Sequence, residues 1–350
     1  MTSNKLKTAF LMAFLGTFIV LTIWEVYWRS FPDYYEINVE DDRYLWSAHR
    51  AKVEKATSED VVILGASRTG FNFNTHVWEE VQGLKPINLS TDGKTPMPYL
   101  EDIVENTDFA GTIIMGVTPP LFFSAPNSDF WMNGKQWITH YHKETYAQKL
   151  GQEISKPFQR NLALLTTSEL DFYNELDLKT LINRIPLKNR VEDNWYLPKF
   201  KTNDEDRNLI MVQAMIKDPD YAAEVQAAWM TFLPTLPPYE VIAEGMPPMM
   251  DYFVSLVDAF KARGGNIVFI RHKSEPEWKI HVDKFMPREK VWDVFIAQAA
   301  CPAYHFMDYS FMQIHELPDW SHMAPESAKI YTRDMVSQLI DDGHLKSYKN

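Results

Sequence analysis

Ser67 lies in VVILGASRTGFNFNT (61–75), after four apolar residues, Gly65 and Ala66. A serine just beyond a buried strand can be a nucleophile, part of a phosphate cradle, or only a turn residue. The phosphate readings fail on spacing. A dinucleotide fingerprint needs G-x-G-x-x-G, but Ser67 stands at the middle glycine and no acidic residue stands out at the ribose position. A P-loop needs a lysine after its last glycine, where this chain has Phe71. The G-x-S-x-G elbow of α/β-hydrolases is interrupted by Thr69 at its second glycine.

A nucleophilic serine needs a base to take its proton and an acid to orient that base. Both stand near the C-terminus in LPDWSHMAPESAKIY, where Asp319 and His322 are three residues apart just before a helix-like run. In a tight turn, that spacing lets the carboxylate hold one imidazole nitrogen while the other faces outward, toward Ser67. Alone, Asp319 could equally cap the helix and His322 lie in its first turn. Three further residues are candidates for substrate binding. Arg68 follows the serine, and Arg271 and His272 end a later strand.

Such residues meet only if the fold brings strand ends together. VVILG (61–65), PINLS (86–90) and TIIMGV (112–117) are short apolar runs that suit strands buried on both faces, and helix-like stretches separate them. The pattern resumes with MDYFVSLVDAFKARGG, the strand NIVFIRH (266–272), the helix EKVWDVFIAQAA, the short strand AYHFMDY and a closing helix APESAKIYTRDMVSQLI. The fold class expected is α/β, three layers around a mostly parallel doubly wound sheet with right-handed crossovers. Ligands then sit beyond the carboxyl ends of the strands, where Ser67 lies. Residues 59–123 and 239–350 make up this domain. Residues 124–238 read as a helical insertion closed by the proline-rich LPTLPPYEVIAEGMPPMM. His140 and His142 in THYHKE, on one face of a strand, lack a Cys or carboxylate partner at metal-ligand spacing. Trp131, Trp137 and Trp229 are able either to stack on sugars or to pack within the insertion.

TAFLMAFLGTFIVLTIW (8–24) carries no charge, approaching the ~20 residues that span a bilayer, with Lys5 and Lys7 before it and Trp24, Tyr27 and Trp28 at its far end. Bulky residues follow where signal cleavage needs small ones, so residues 1–28 are expected to be an uncleaved signal anchor and 29–58 a stalk. The implied location is the inner membrane, single-pass, with the main domain periplasmic or otherwise extracytoplasmic. A net charge of −12 with no basic run argues against nucleic acid as the main ligand. The one cysteine, Cys301, excludes an intramolecular disulfide.

With Gly65, Ala66, Ser67 and Arg68 as a first block and D-x-x-H at Asp319 and His322 as a last, the chain resembles the SGNH (GDSL-like) hydrolase superfamily. It most resembles the membrane-anchored branch that includes alginate acetylation proteins and the teichoic-acid D-alanyl transfer protein. The resemblance covers residues 61–123 and 253–340. It implies that Ser67 is the nucleophile and that Gly93, in NLSTDGKTP, joins the Ser67 amide as an oxyanion donor. Where the family has an asparagine after its third strand, this chain has Thr118. Either its hydroxyl substitutes, or the hole has two donors, or the site is weak or inactive. The resemblance implies an O-acyltransferase or esterase acting on a cell-envelope or exported polysaccharide. Its partners would be the membrane, a glycan or acylated substrate and a membrane-embedded acyl-transfer protein, and no cofactor or metal is required. The rival is a scaffold of the same fold that binds glycan or an assembly partner without chemistry.

Overall fold

A computed structural model describes residues 3–30, 38–163 and 197–349. Most of the expected stalk's first part (31–37) and the centre of the insertion (164–196) lie outside the described residues. The β-branched runs form β1 (Val61–Leu64), β2 (Ile87–Asn88) and β3 (Thr112–Gly116). A hairpin follows in the middle region, β4 (Lys201–Asn203) and β5 (Leu209–Met211), then β6 (Asn266–Arg271) and β7 (Ala303–His305). The main sheet has the order β2-β1-β3-β6-β7 with every neighbouring pair parallel.

The helices are α1 (Ser3–Arg29), α2 (Arg43–Val53), α3 (Ser67–Asn72), α4 (Thr75–Gln82), α5 (Met97–Asn106), α6 (Pro119–Phe122), α7 (Asp129–Lys143) and α8 (Tyr146–Asn161). After β5 and the single helical turn Ala214–Lys217 come α9 (Pro219–Met230), α10 (Met246–Ala262), α11 (Pro276–Phe285), α12 (Trp292–Ala299) and α13 (Pro325–Asp341). Local chemistry sets their ends. The Asn74 side chain accepts from the amides of His76 and Val77 at the start of α4, and Gly83, at φ 95°, ends that helix. Asp218 caps α9, with Pro219 at its first position.

The period-2 alternation of the strands divides the core. Val62, Leu64, Ile113, Met115, Ile267 and Phe269 face Ile103, Phe253 and Phe295, from α5, α10 and α12. Val61, Ile63, Ile114, Val268 and Ile270 face the other way, toward Trp78 of α4 and Met335 and Leu339 of α13. The result is three layers. Strand order reverses at β1 and β3, so the crevice beyond their carboxyl ends is the natural ligand position. The residues just past those ends are Ser67 and Thr118.

Thr69, which breaks the elbow pattern, has a packing reason. A methyl group on Gly65 or on Gly116 would overlap the Thr69 side chain, so α3 lies close against the ends of β1 and β3 only because both positions are glycine. The middle region differs from the expectation in containing the β4–β5 hairpin, whose three-residue strands are too short to show a period. It packs through Met211, Val225 and Trp229 on Phe71 of α3 and Trp278 of α11. β2 and β7 are also shorter than their apolar runs. His140 and His142 lie on α7, a helix, and not on a strand, so two residues of separation turns them to different sides.

α1 is long and apolar enough to cross a membrane, and its large apolar side chains from Leu6 to Tyr27 are exposed, while Trp28 at its end is buried.

Candidate active site

Ser67 is the first residue of α3, so its amide belongs to the first turn and has no partner within the helix. Its side chain meets the loop before α13. His322 Nε2 lies 2.8 Å from Ser67 Oγ, and His322 Nδ1 lies 2.6 Å from Asp319 Oδ2. A carboxylate only accepts, so Nδ1 carries the proton and donates it to Asp319; the lone pair of Nε2 then accepts from the serine hydroxyl. Asp319 Oδ1 accepts from the amides of Ser321 (3.1 Å) and His322 (2.7 Å), and Oδ2 also accepts from Trp229 Nε1 (3.3 Å). Burial alone would raise the Asp319 carboxyl, but His322 and the two amides hold it below the usual carboxylate range. Trp320, between acid and base, sits at φ 69°, an uncommon conformation for a non-glycine residue that closes this turn.

No protein-family model matches the chain, and no curated protein matches it.

What the arrangement can do follows from its own atoms. A serine hydroxyl donating to a neutral imidazole, which is itself fixed by a buried carboxylate, is set up to attack an electrophilic carbonyl. Ser67 and His322 line a cavity of about 1100 Å³ together with Arg68, Gly93 and Thr118. Gly93 is at φ 57°, the left-handed region that glycine adopts without cost. Thr118 lies just past β3, and its hydroxyl is buried with no hydrogen-bond partner among the described residues. An unpaired donor on a residue of the cavity wall would be suited to an oxygen that develops charge only during a reaction.

Of Arg68, Arg271 and His272, the substrate-binding candidates of the sequence, only Arg68 lines this cavity. Its Nε donates to Ser321 Oγ (2.9 Å) and its guanidinium lies over Trp278, 5.0 Å from the ring centre, which ties α3 to the Asp319–His322 turn. Burial, with Arg271 nearby, pushes its pKa well below the usual value. Arg271 lines a separate cavity of about 390 Å³, and its Nη1 donates to the His272 carbonyl (2.9 Å). His272 is fully buried between the Tyr331 hydroxyl (3.0 Å) and Thr69 Oγ1 (3.4 Å), away from both cavities.

His272 instead governs stability. Burial, reinforced by Arg68 and Arg271, lowers its pKa to about 3, and burial with Arg271 and Arg288 does the same to His305. Free histidine titrates near 6.5. Between these limits the unfolded chain binds protons that the folded chain refuses, so stability is complete above about pH 6.5 and falls on acidification, by roughly 1.4 kcal/mol per pH unit for each such histidine. Denaturant unfolding at a series of pH values from 7.5 to 4 is expected to show that slope. A flat profile would mean that neither ring is held neutral.

Two contributors were not singled out as site residues from the sequence. Lys201 of β4 forms an ion pair with Asp92, the residue before Gly93, and both line the cavity. Burial opposes the charge on each, yet their attraction leaves the carboxyl lowered and the ammonium raised. Neither lysine of KFKTN (199–203) has a spacing signal that marks it. Trp229 was weighed as a sugar platform; it is buried, bonds Asp319 and packs edge-on to Trp278. Trp131 is buried on Phe253, and Trp137 packs on Trp46 beneath Lys94. His142 Nε2 contacts Asp102 Oδ1 (2.6 Å), beside the buried Arg50–Asp102 pair. Among the described residues, no cluster of three His, Cys, Asp or Glu is placed to hold a metal ion.

Proposed function

We propose that this chain is a membrane-anchored serine acyl-ester enzyme of SGNH type, an esterase or O-acyltransferase working on the extracytoplasmic side on a cell-envelope or exported glycan. The observation that carries the reading is the continuous hydrogen-bonded line Ser67–His322–Asp319 at the wall of a large cavity. Ser67 Oγ attacks the ester carbonyl while His322 Nε2 takes its proton. The carbonyl oxygen, now negative, is held by the amides of Ser67 and Gly93 and by the Thr118 hydroxyl. Collapse breaks the ester bond, and His322 returns the proton to the departing alkoxide. Water, or a sugar hydroxyl, then repeats the sequence on the acyl-serine and regenerates Ser67.

The membrane part of the reading rests on α1 and on a second feature beside it. α8 exposes Tyr146, Leu150, Ile154 and Phe158, spaced by four residues along one flank. Its C-terminal end is tied to the end of α1. Arg29 donates to the Asn161 carbonyl, and the Ala163 amide donates to Glu25 (2.9 Å). An apolar flank held next to the end of an anchor is suited to lie in the headgroup layer of the same bilayer. The N-terminus would then be cytoplasmic, with Lys5 and Lys7 inside.

The full chain in nanodiscs is expected to hydrolyse p-nitrophenyl butyrate, with kcat reduced at least 10⁴-fold in Ser67→Ala. Equal rates for the two proteins would remove the serine from the chemistry. With an oligosaccharide added, mass spectrometry of the acylated sugar separates transfer from hydrolysis.

A further inference from the structure

The cavity at Ser67 is far larger than an acetyl or alanyl ester needs. At about 1100 Å³ it exceeds the roughly 300–1000 Å³ usual for pockets that hold drug-sized ligands. Its charged groups are few, Arg68, Asp92 and Lys201, and Asp92 and Lys201 neutralise each other. Most of the remaining wall is aliphatic or aromatic and is assembled from separate elements. Leu121 comes from α6, Phe232 from the turn after α9, Met249 from α10, and Trp278 and Phe285 from α11. The lining also reaches the surface through apolar side chains, since Phe130 is 43% and Val241 69% exposed. A glycan-binding site shows the opposite composition, with polar side chains spread along it to meet hydroxyls.

We propose that the acyl group received by Ser67 is an aliphatic chain of eight or more carbons, which lies in this cavity while its carbonyl meets Ser67 and Thr118. The inference rests on Ser67 being the nucleophile and names what it carries. In the first step, the long-chain donor and the Ser67 hydroxyl give acyl-serine and the leaving group, an alcohol from an ester or a thiol from a thioester, which takes the proton from His322. In the second, water gives the fatty acid and free serine, or a sugar hydroxyl gives the acylated sugar. The donor is a long-chain acyl ester or thioester. A membrane lipid and a soluble acyl thioester share this chemistry.

The test uses the full chain in nanodiscs and two series of increasing alkyl length. Along p-nitrophenyl esters from acetate to octanoate, each buried methylene is worth roughly fourfold, so kcat/KM is expected to rise about 10²-fold or more from butyrate to octanoate. The labelling rate of Ser67 by alkyl phosphonofluoridates, from methyl to dodecyl, is expected to follow the same order. Met249→Trp, which fills the cavity, is expected to cut the octanoate-to-acetate ratio at least tenfold. If Ser67 labels with the methyl reagent but neither series favours length, the chain proposal fails and the nucleophile stands. If no reagent labels Ser67, both fall together. Offering a diacyl phospholipid in the disc against a palmitoyl thioester in solution, and weighing the acyl-enzyme, identifies the donor; transfer from neither overturns the proposal.

Discussion

Asp319→Asn is expected to slow ester cleavage by about 10⁴-fold while leaving the fold intact. The expectation comes from the hydrogen-bond roles at this one side chain. The amides of Ser321 and His322 both donate to Asp319 Oδ1, so an asparagine will turn its carbonyl oxygen toward them. Its amino group then faces His322 Nδ1, which can no longer donate and must accept. The ring proton moves to Nε2, 2.8 Å from Ser67 Oγ, and the base has no lone pair for the serine. Circular dichroism should change little, because the turn keeps its acceptor, while the thermal midpoint should fall modestly, because the Trp229 indole loses Oδ2 as its acceptor and an unpaired buried donor costs about 1–3 kcal/mol. A loss below tenfold would mean that the carboxylate does not set the ring's tautomer.

Thr118→Val is expected to move rate and stability in opposite directions. Valine keeps the shape of threonine and removes only a hydroxyl that is buried without a partner among the described residues. An unpaired buried polar group costs about 1–3 kcal/mol, so the variant should be as stable as the parent or more so. One oxyanion donor is worth roughly 10²- to 10³-fold in kcat, and kcat should fall by at least 10² with KM little changed. A structural hydroxyl would give the reverse, a loss of stability with rate preserved. An unchanged rate would leave an oxyanion hole of two amides.

The parts of this arrangement visible in the sequence are those with a period or a fixed spacing. β1, β3 and β6 announce themselves as apolar runs, and Asp319 and His322 as a pair at the mouth of the last helix. Gly93 and Thr118 drew attention only through a family resemblance, because a glycine after a two-residue strand and a threonine before two prolines carry no signal of their own. Arg271 and His272 show the limit of strand-end logic. Both follow the right edge, but one points into a second cavity and the other into the core beneath Tyr331. Lys201 and Trp229 reach the site from a segment whose path no local pattern specifies. They arrive there by long-range packing of Phe200, Val225 and Trp278. The apolar character of the cavity was equally hidden, since its walls come from elements far apart in the chain.

The central claim is that Ser67 is a nucleophile activated by His322, and covalent trapping tests it most directly. The full chain is treated with diisopropyl fluorophosphate, digested and mapped by tandem mass spectrometry. The expected result is a single adduct on Ser67, formed rapidly in the parent and at least 10³-fold more slowly in His322→Ala. No adduct at Ser67, or one that forms equally fast without His322, would contradict it.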